Sequence, residues 1–96
     1  MDDLERNIEK YLRLQVKSIG GRCLKWVCPQ VSGVPDRLVL FKGKVYFVEL
    51  KRSEGGVWAK LQVEFAKWLT TNDFDYSLIQ SKAEVDFLMQ RIKNEN

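Results

Sequence analysis

Apolar positions in the first twenty residues recur with helical spacing. Leu4, Ile8, Tyr11, Leu12, Val16 and Ile19 fall on one face at about 100° per residue, which predicts a helix from Asp2 to Ile19. Gly20-Gly21 ends it. The period then changes. Arg22 to Cys28 reads as a first strand, and Pro29 to Gly33 as a loop. Two apolar, β-branched and aromatic runs follow, Leu38 to Phe41 and Lys44 to Lys51, separated by Lys42-Gly43. That break predicts a β-hairpin. Arg52 to Gly56 reads as a flexible connection. Helical spacing returns from Val57 to Thr71, with Trp58, Leu61, Phe65, Trp68 and Leu69 on the apolar face. Asp75 to Gln80 makes a short last strand. Ser81-Lys-Ala-Glu84 is a capping box opening a third helix, whose apolar side is Val85, Leu88, Met89 and Ile92. The order α-β-β-β-α-β-α predicts an α/β fold, a small mixed sheet flanked by helices. The Trp and Phe residues of the helices are expected to be core.

The hairpin register has a chemical consequence. With Lys42-Gly43 as the loop, Phe41 faces Lys44, and counting back sets Asp36 opposite Glu49. Directly paired side chains have Cβ atoms roughly 4.5–5.5 Å apart. Two carboxylates so placed repel each other unless something positive lies between them. Lys51, two residues beyond Glu49, points to the same face. Leu38, Leu40, Val45 and Phe47 complete that face, so three ionisable groups gather at one end of an apolar surface. This pattern fits hydrolysis of a phosphodiester with a hard cation, which takes one or two carboxylates plus water and substrate phosphate. Lys51 would orient or deprotonate the attacking water, or hold the phosphate. The alternative is a hairpin with charged, solvated ends, Lys51 pairing with Glu49.

Two polar side chains interrupt the helical faces. Glu5 lies inside the apolar arc of the first helix, and Glu9 just past its edge. A carboxylate among core residues needs a partner or a cation; alternatively, Asp2 caps the helix and Glu5 closes a capping box. Gln62 sits in the middle of the second helix's apolar face. It either bonds a backbone group or reaches across to the carboxylates. Arg6, Lys10, Arg13 and Lys17 form a narrow basic stripe, a solvated face or a contact for a phosphate backbone.

Composition narrows the picture. Ninety-six residues, 45% hydrophobic and 11% aromatic, predict one folded domain, 1–96. No run is long enough to span a membrane, and Met1 is followed by Asp-Asp rather than by a signal sequence, so a cytoplasmic protein is expected. Cys23 and Cys28, with no histidine in the chain, make no zinc site and are expected as buried reduced thiols. The net charge of +3 permits nucleic-acid binding without arguing for it.

The residues also carry a resemblance. Gly33-Val34-Pro35-Asp36, followed after an apolar strand by Glu49-Leu50-Lys51, resembles the PD-(D/E)xK nuclease signature. The whole chain is similar to the VRR-NUC family of virus-type replication-repair nucleases. Glu5-Arg-Asn-Ile8-Glu9, Gly20-Gly21, Gly33 to Arg37, Glu49 to Lys51 and Gln62 match its ordered pattern. The resemblance implies a restriction-endonuclease-like core and a DNA endonuclease dependent on Mg2+ or Mn2+, with no organic cofactor. Asp36, Glu49 and the Leu50 carbonyl would be metal ligands and Lys51 the catalytic lysine. Glu5, favoured over Glu9, would complete the metal shell directly or through water, and Gln62 would support the site. Short members similar to Holliday-junction resolvases act as homodimers on branched DNA, so a homodimer is implied too. A nickase, a flap or linear-duplex endonuclease, or a branched-DNA-binding module that does not cut are the alternatives.

Overall fold

The computed structural model describes residues 3–51 and 60–96. The expected Asp2 cap, the Arg52 to Gly56 connection, and Val57 and Trp58 of the second helix lie outside the described residues. Three helices, α1 (Asp3–Ser18), α2 (Lys60–Thr71) and α3 (Lys82–Asn94), flank four strands, β1 (Arg22–Lys25), β2 (Arg37–Phe41), β3 (Lys44–Leu50) and β4 (Asp75–Ile79). The sheet order is β1-β2-β3-β4. β1, β2 and β3 pair antiparallel, and β4 pairs parallel to β3. Joining parallel neighbours takes a crossover, and α2 lies within it.

Local chemistry ends each element where the sequence pattern does. At the end of α1 the Gly21 N–H donates to the Val16 carbonyl at 3.0 Å and the Gly20 N–H to that of Lys17 at 3.0 Å, a Schellman motif. Ser81 caps α3, accepting from the Glu84 N–H at 3.2 Å. The Glu84 carboxylate reaches back to the Gln80 N–H at 3.2 Å, one residue before the cap. Lys42 and Gly43 both have positive φ, 46° and 78°, the two-residue turn whose twist suits a hairpin. Phe41 therefore pairs with Lys44, and the ladder runs to Arg37 opposite Val48. The next step outward brings Asp36 beside Glu49.

The deep core lies on the other sheet face. Val39, Tyr46, Val48, Leu50 and Ile79 pack there against Ile8, Leu12 and Val16 of α1 and Val85, Leu88, Met89 and Ile92 of α3. The face shared by Phe47 and Glu49 is covered by α2 through Ala66, Leu69 and a string of aromatic rings. Trp26 meets Phe47 and Phe65 with centroids 5.5 and 5.9 Å apart, and Phe74 meets Phe47 and Trp68 at 5.7 and 5.8 Å.

Several expectations need correction. β1 ends at Lys25 rather than Cys28, because its partner strand begins only at Arg37, after the Gly33 to Pro35 turn. Leu61 and Trp68 stay half exposed, and Phe87 of α3 is 74% exposed, so these are not core. A single helix over a four-stranded sheet covers only part of its own apolar arc. Leu4, at the start of α1, is likewise half exposed, and so is Val45 on the sheet face that carries Glu49. The cysteines are free but only half-buried. Burial pushes the Cys23 thiol up to about 11, which keeps it protonated at neutral pH.

Candidate active site

The site is built where the hairpin's open end meets α2. Pro35 is fully buried, and the Asp36 carbonyl accepts from the Trp26 N–H at 3.0 Å, which fixes the backbone there. Asp36 Oδ2 accepts from the Leu50 N–H at 2.9 Å. That bond turns the carboxylate of one strand toward the end of the other. Glu49 is 1% exposed, the one buried charged residue among those described. Its carboxyl is pushed up to about 8, first by burial, then by hydrogen bonding to Asp36 and by the Asp36 charge. Glu5 adds to this and Lys51 opposes it. Without a cation the Glu49 carboxyl therefore keeps its proton at neutral pH.

Lys51 and Gln62 complete the cluster. The Lys51 N–H donates to the Ile79 carbonyl at 3.0 Å, extending the β3–β4 pairing to the end of the motif. Its Nζ donates to Gln62 Oε1 at 3.1 Å, and Gln62 Nε2 donates to Glu49 Oε1 at 3.3 Å. The glutamine in the middle of an apolar face thus reaches the carboxylate end of the sheet and joins the lysine to the glutamate. Gly33 sets where α2 starts relative to the hairpin. Its φ is +86°, and an added Cβ would lie 2.4 Å from the Leu61 carbonyl oxygen and 2.9 Å from the Gln62 nitrogen. The Gly-x-Pro-Asp turn and the first turn of α2 are in backbone contact.

The two helix glutamates separate. Glu9 pairs with Arg13 at 3.4 Å and with Arg37 at 3.3 Å. Glu5 lines a cleft of about 300 Å³ with Lys25, Trp26, Asp36 and Arg37. Among the described residues, no three acidic, cysteine or histidine side chains converge as one group. Glu5 therefore stands beside the Asp36–Glu49 pair rather than within it. Sequence reasoning did not single out Tyr76, whose hydroxyl is buried without a hydrogen-bond partner among the described residues. Its alternation along β4 was readable, but which face that meant depended on pairing with β3.

The donor set fits a hard divalent cation. It offers oxygen from two adjacent carboxylates, one of them buried, whose mutual repulsion is relieved here by a proton. A magnesium or manganese ion would relieve it as well. Arg6, Lys10, Arg13 and Lys17 are all exposed along α1.

A four-stranded mixed sheet with two carboxylates at a hairpin end, a lysine two residues on and a glutamine from the following helix resembles the arrangement of the PD-(D/E)xK signature. A solved structure described as a VRR_NUC domain superposes with a TM-score of 0.84 and 27% identity, over 93% of this chain and 97% of that one. A phage protein named "Putative nuclease p44", from Acyrthosiphon pisum secondary endosymbiont phage 1, is 54% identical over 48 residues. The match spans 49% of this chain and 52% of that relative, about half of each. No family model matches. The chain is therefore similar to a VRR-NUC domain over nearly its whole length, and to a phage protein over about half of it. Among the described residues no helix is long and apolar enough to cross a membrane.

Proposed function

We propose that the chain is a divalent-cation-dependent endonuclease that hydrolyses phosphodiester bonds in DNA. The observation that carries this reading is the linked set Asp36, Glu49, Gln62 and Lys51, a buried carboxylate bonded through an amide to a lysine. Asp36 and Glu49, with the Leu50 carbonyl, would hold Mg2+ or Mn2+, and Glu5 would reach the same ion through water. When bound, such an ion acidifies a water and neutralises charge developing on the phosphate. The chain's residues do the rest. The Leu50 N–H holds Asp36 in place, Gln62 orients Glu49 and Lys51 together, and Lys51 sets a positive group at the substrate phosphate or its attacking water. Branched DNA as substrate and a homodimer that cuts two strands are the finer part of this proposal, carried over from the sequence resemblance to short resolvase-like nucleases.

The test is cleavage with Mg2+ or Mn2+ of a four-way junction, a flap, a splayed duplex and a linear duplex. Asp36→Asn and Lys51→Ala are each expected to lower the rate by roughly 100-fold or more while leaving the fold and DNA binding intact. Paired symmetric cuts in the junction support the dimeric resolvase-type reading, and cutting of flaps or linear duplex alone removes it. Normal cleavage by either variant would overturn the site. Binding of the junction without cutting, with either metal, would make this a binding module.

The α1 stripe makes a separate prediction. Replacing Lys10 and Lys17 with alanine is expected to weaken binding to all sequences alike. The slope of log affinity against log salt should flatten by about 0.9 for each phosphate that is no longer neutralised. An unchanged slope would return these lysines to ordinary solvent-facing charge.

A further inference from the structure

Two buried polar atoms lack a hydrogen-bond partner among the described residues, Arg37 Nε and Tyr76 Oη. The Arg37 guanidinium is otherwise engaged, at Glu9 and at the Asp36 carbonyl. The Tyr76 hydroxyl has no such contact among the described residues. Sealing a hydroxyl from water with no partner is unfavourable, and native folds keep few such groups. Its surroundings explain what it is for. Tyr76 stands opposite Phe47 in the parallel β3–β4 register, and Leu78 stands opposite Glu49. Side chains alternate, so Tyr76 shares a face with Glu49, one pair along, on the side that α2 covers. Burial, then the charges of Glu49 and Asp36, hold the phenol proton firmly in place. The group is therefore a neutral donor within electrostatic reach of both carboxylates.

We propose that Tyr76 is a positioning residue of the site, its hydroxyl donating to the Glu49 carboxylate, directly or through one ordered water, when Asp36 and Glu49 hold a divalent cation. The inference rests on the nuclease reading of that pair. A carboxylate that gives one lone pair to a cation keeps others that need donors. Gln62 supplies one at Oε1 from the helix side. Tyr76 supplies another from the sheet side. A phenol suits the place because it donates without bringing a positive charge that would compete with the cation. Outer hydrogen bonds of this kind change metal affinity by about 10–100-fold.

The experiment measures Mn2+ uptake by electron paramagnetic resonance in the whole chain, for wild type, Tyr76→Phe and Glu49→Gln, with thermal melts in the absence of metal. Wild type should bind Mn2+ and Glu49→Gln should not. Tyr76→Phe should bind about tenfold more weakly. Its metal-free Tm should equal or exceed that of wild type, since an unpaired hydroxyl has been removed. Its cleavage should recover toward wild type at saturating Mn2+. Equal Mn2+ affinity in wild type and Tyr76→Phe overturns the proposal. A lowered Tm with unchanged affinity does so too, because it marks the hydroxyl as packing only. Wild type that takes up no Mn2+, or Glu49→Gln that takes up as much, overturns the parent reading of the carboxylate pair and this proposal with it.

Discussion

Glu49→Gln is expected to abolish cleavage and at the same time to raise the melting temperature of the metal-free protein at pH 8. The two effects have one cause. Glu49 is buried beside Asp36, and its folded-state pKa lies near 8, well above that of an unfolded glutamate. Below the ordinary carboxylate range the group is protonated in both states, and the fold bears no cost. As pH rises through that range the unfolded chain releases its proton and the folded chain does not. Each further pH unit then removes about 1.4 kcal/mol of stability, until the folded group itself ionises near pH 8. Stability from this group is therefore greatest at mildly acid pH and is lost toward pH 8. The expected loss is on the order of 3 kcal/mol, or about 10 °C or more in Tm for a domain of this size. Glutamine keeps the shape, and its amide donates toward Asp36 as the protonated acid does, but it has no proton to lose. Melts of wild type and Glu49→Gln from pH 5 to pH 8 check this. Parallel curves would mean that burial beside Asp36 does not raise the Glu49 pKa in the folded protein. Adding Mg2+ or Mn2+ at pH 8 should stabilise wild type and leave the variant unchanged.

Gly33→Ala is expected to be the most damaging small substitution outside the carboxylates. The positive φ alone costs about 1–2 kcal/mol for a residue with a Cβ. The new methyl would also meet the Leu61 carbonyl at 2.4 Å, and both partners are backbone, so neither can rotate away. Relief requires the first turn of α2 to move from the Gly33 to Pro35 turn. Gln62 is the next residue, and its 3.3 Å bond to Glu49 and 3.1 Å bond from Lys51 would go with it. A drop in stability of about 3 kcal/mol or more should accompany loss of cleavage. Amide NMR shifts should concentrate in α2 and β3 rather than in α1 and α3. Wild-type stability with normal cleavage would mean that the turn and the helix are not coupled.

Several parts of this architecture are legible in the sequence. The Lys42-Gly43 turn fixes the register of β2 and β3, because a two-residue loop admits only one pairing. The neighbourhood of Asp36 and Glu49 follows from counting along it. Ser81 to Glu84 and Gly20-Gly21 marked helix ends because caps act within a few residues of themselves. The extent of β1 and the exposure of Leu61, Trp68 and Phe87 were not readable. A strand needs a partner to continue, and a helix face is buried only as far as the surface opposite it extends. Both depend on other elements.

The chain's order alone therefore determined the hairpin, the helix count and the pairing of the two carboxylates, since each rests on local periodicity and turn chemistry. Tertiary packing decided the remainder of the candidate site. It turned Gln62 to both Glu49 and Lys51, gave Glu9 to the arginines while leaving Glu5 at the cleft, pressed Gly33 on α2, and put Tyr76 on the same sheet face as Glu49. Each joins groups distant in sequence or on separate elements, and its existence depends on how those elements pack.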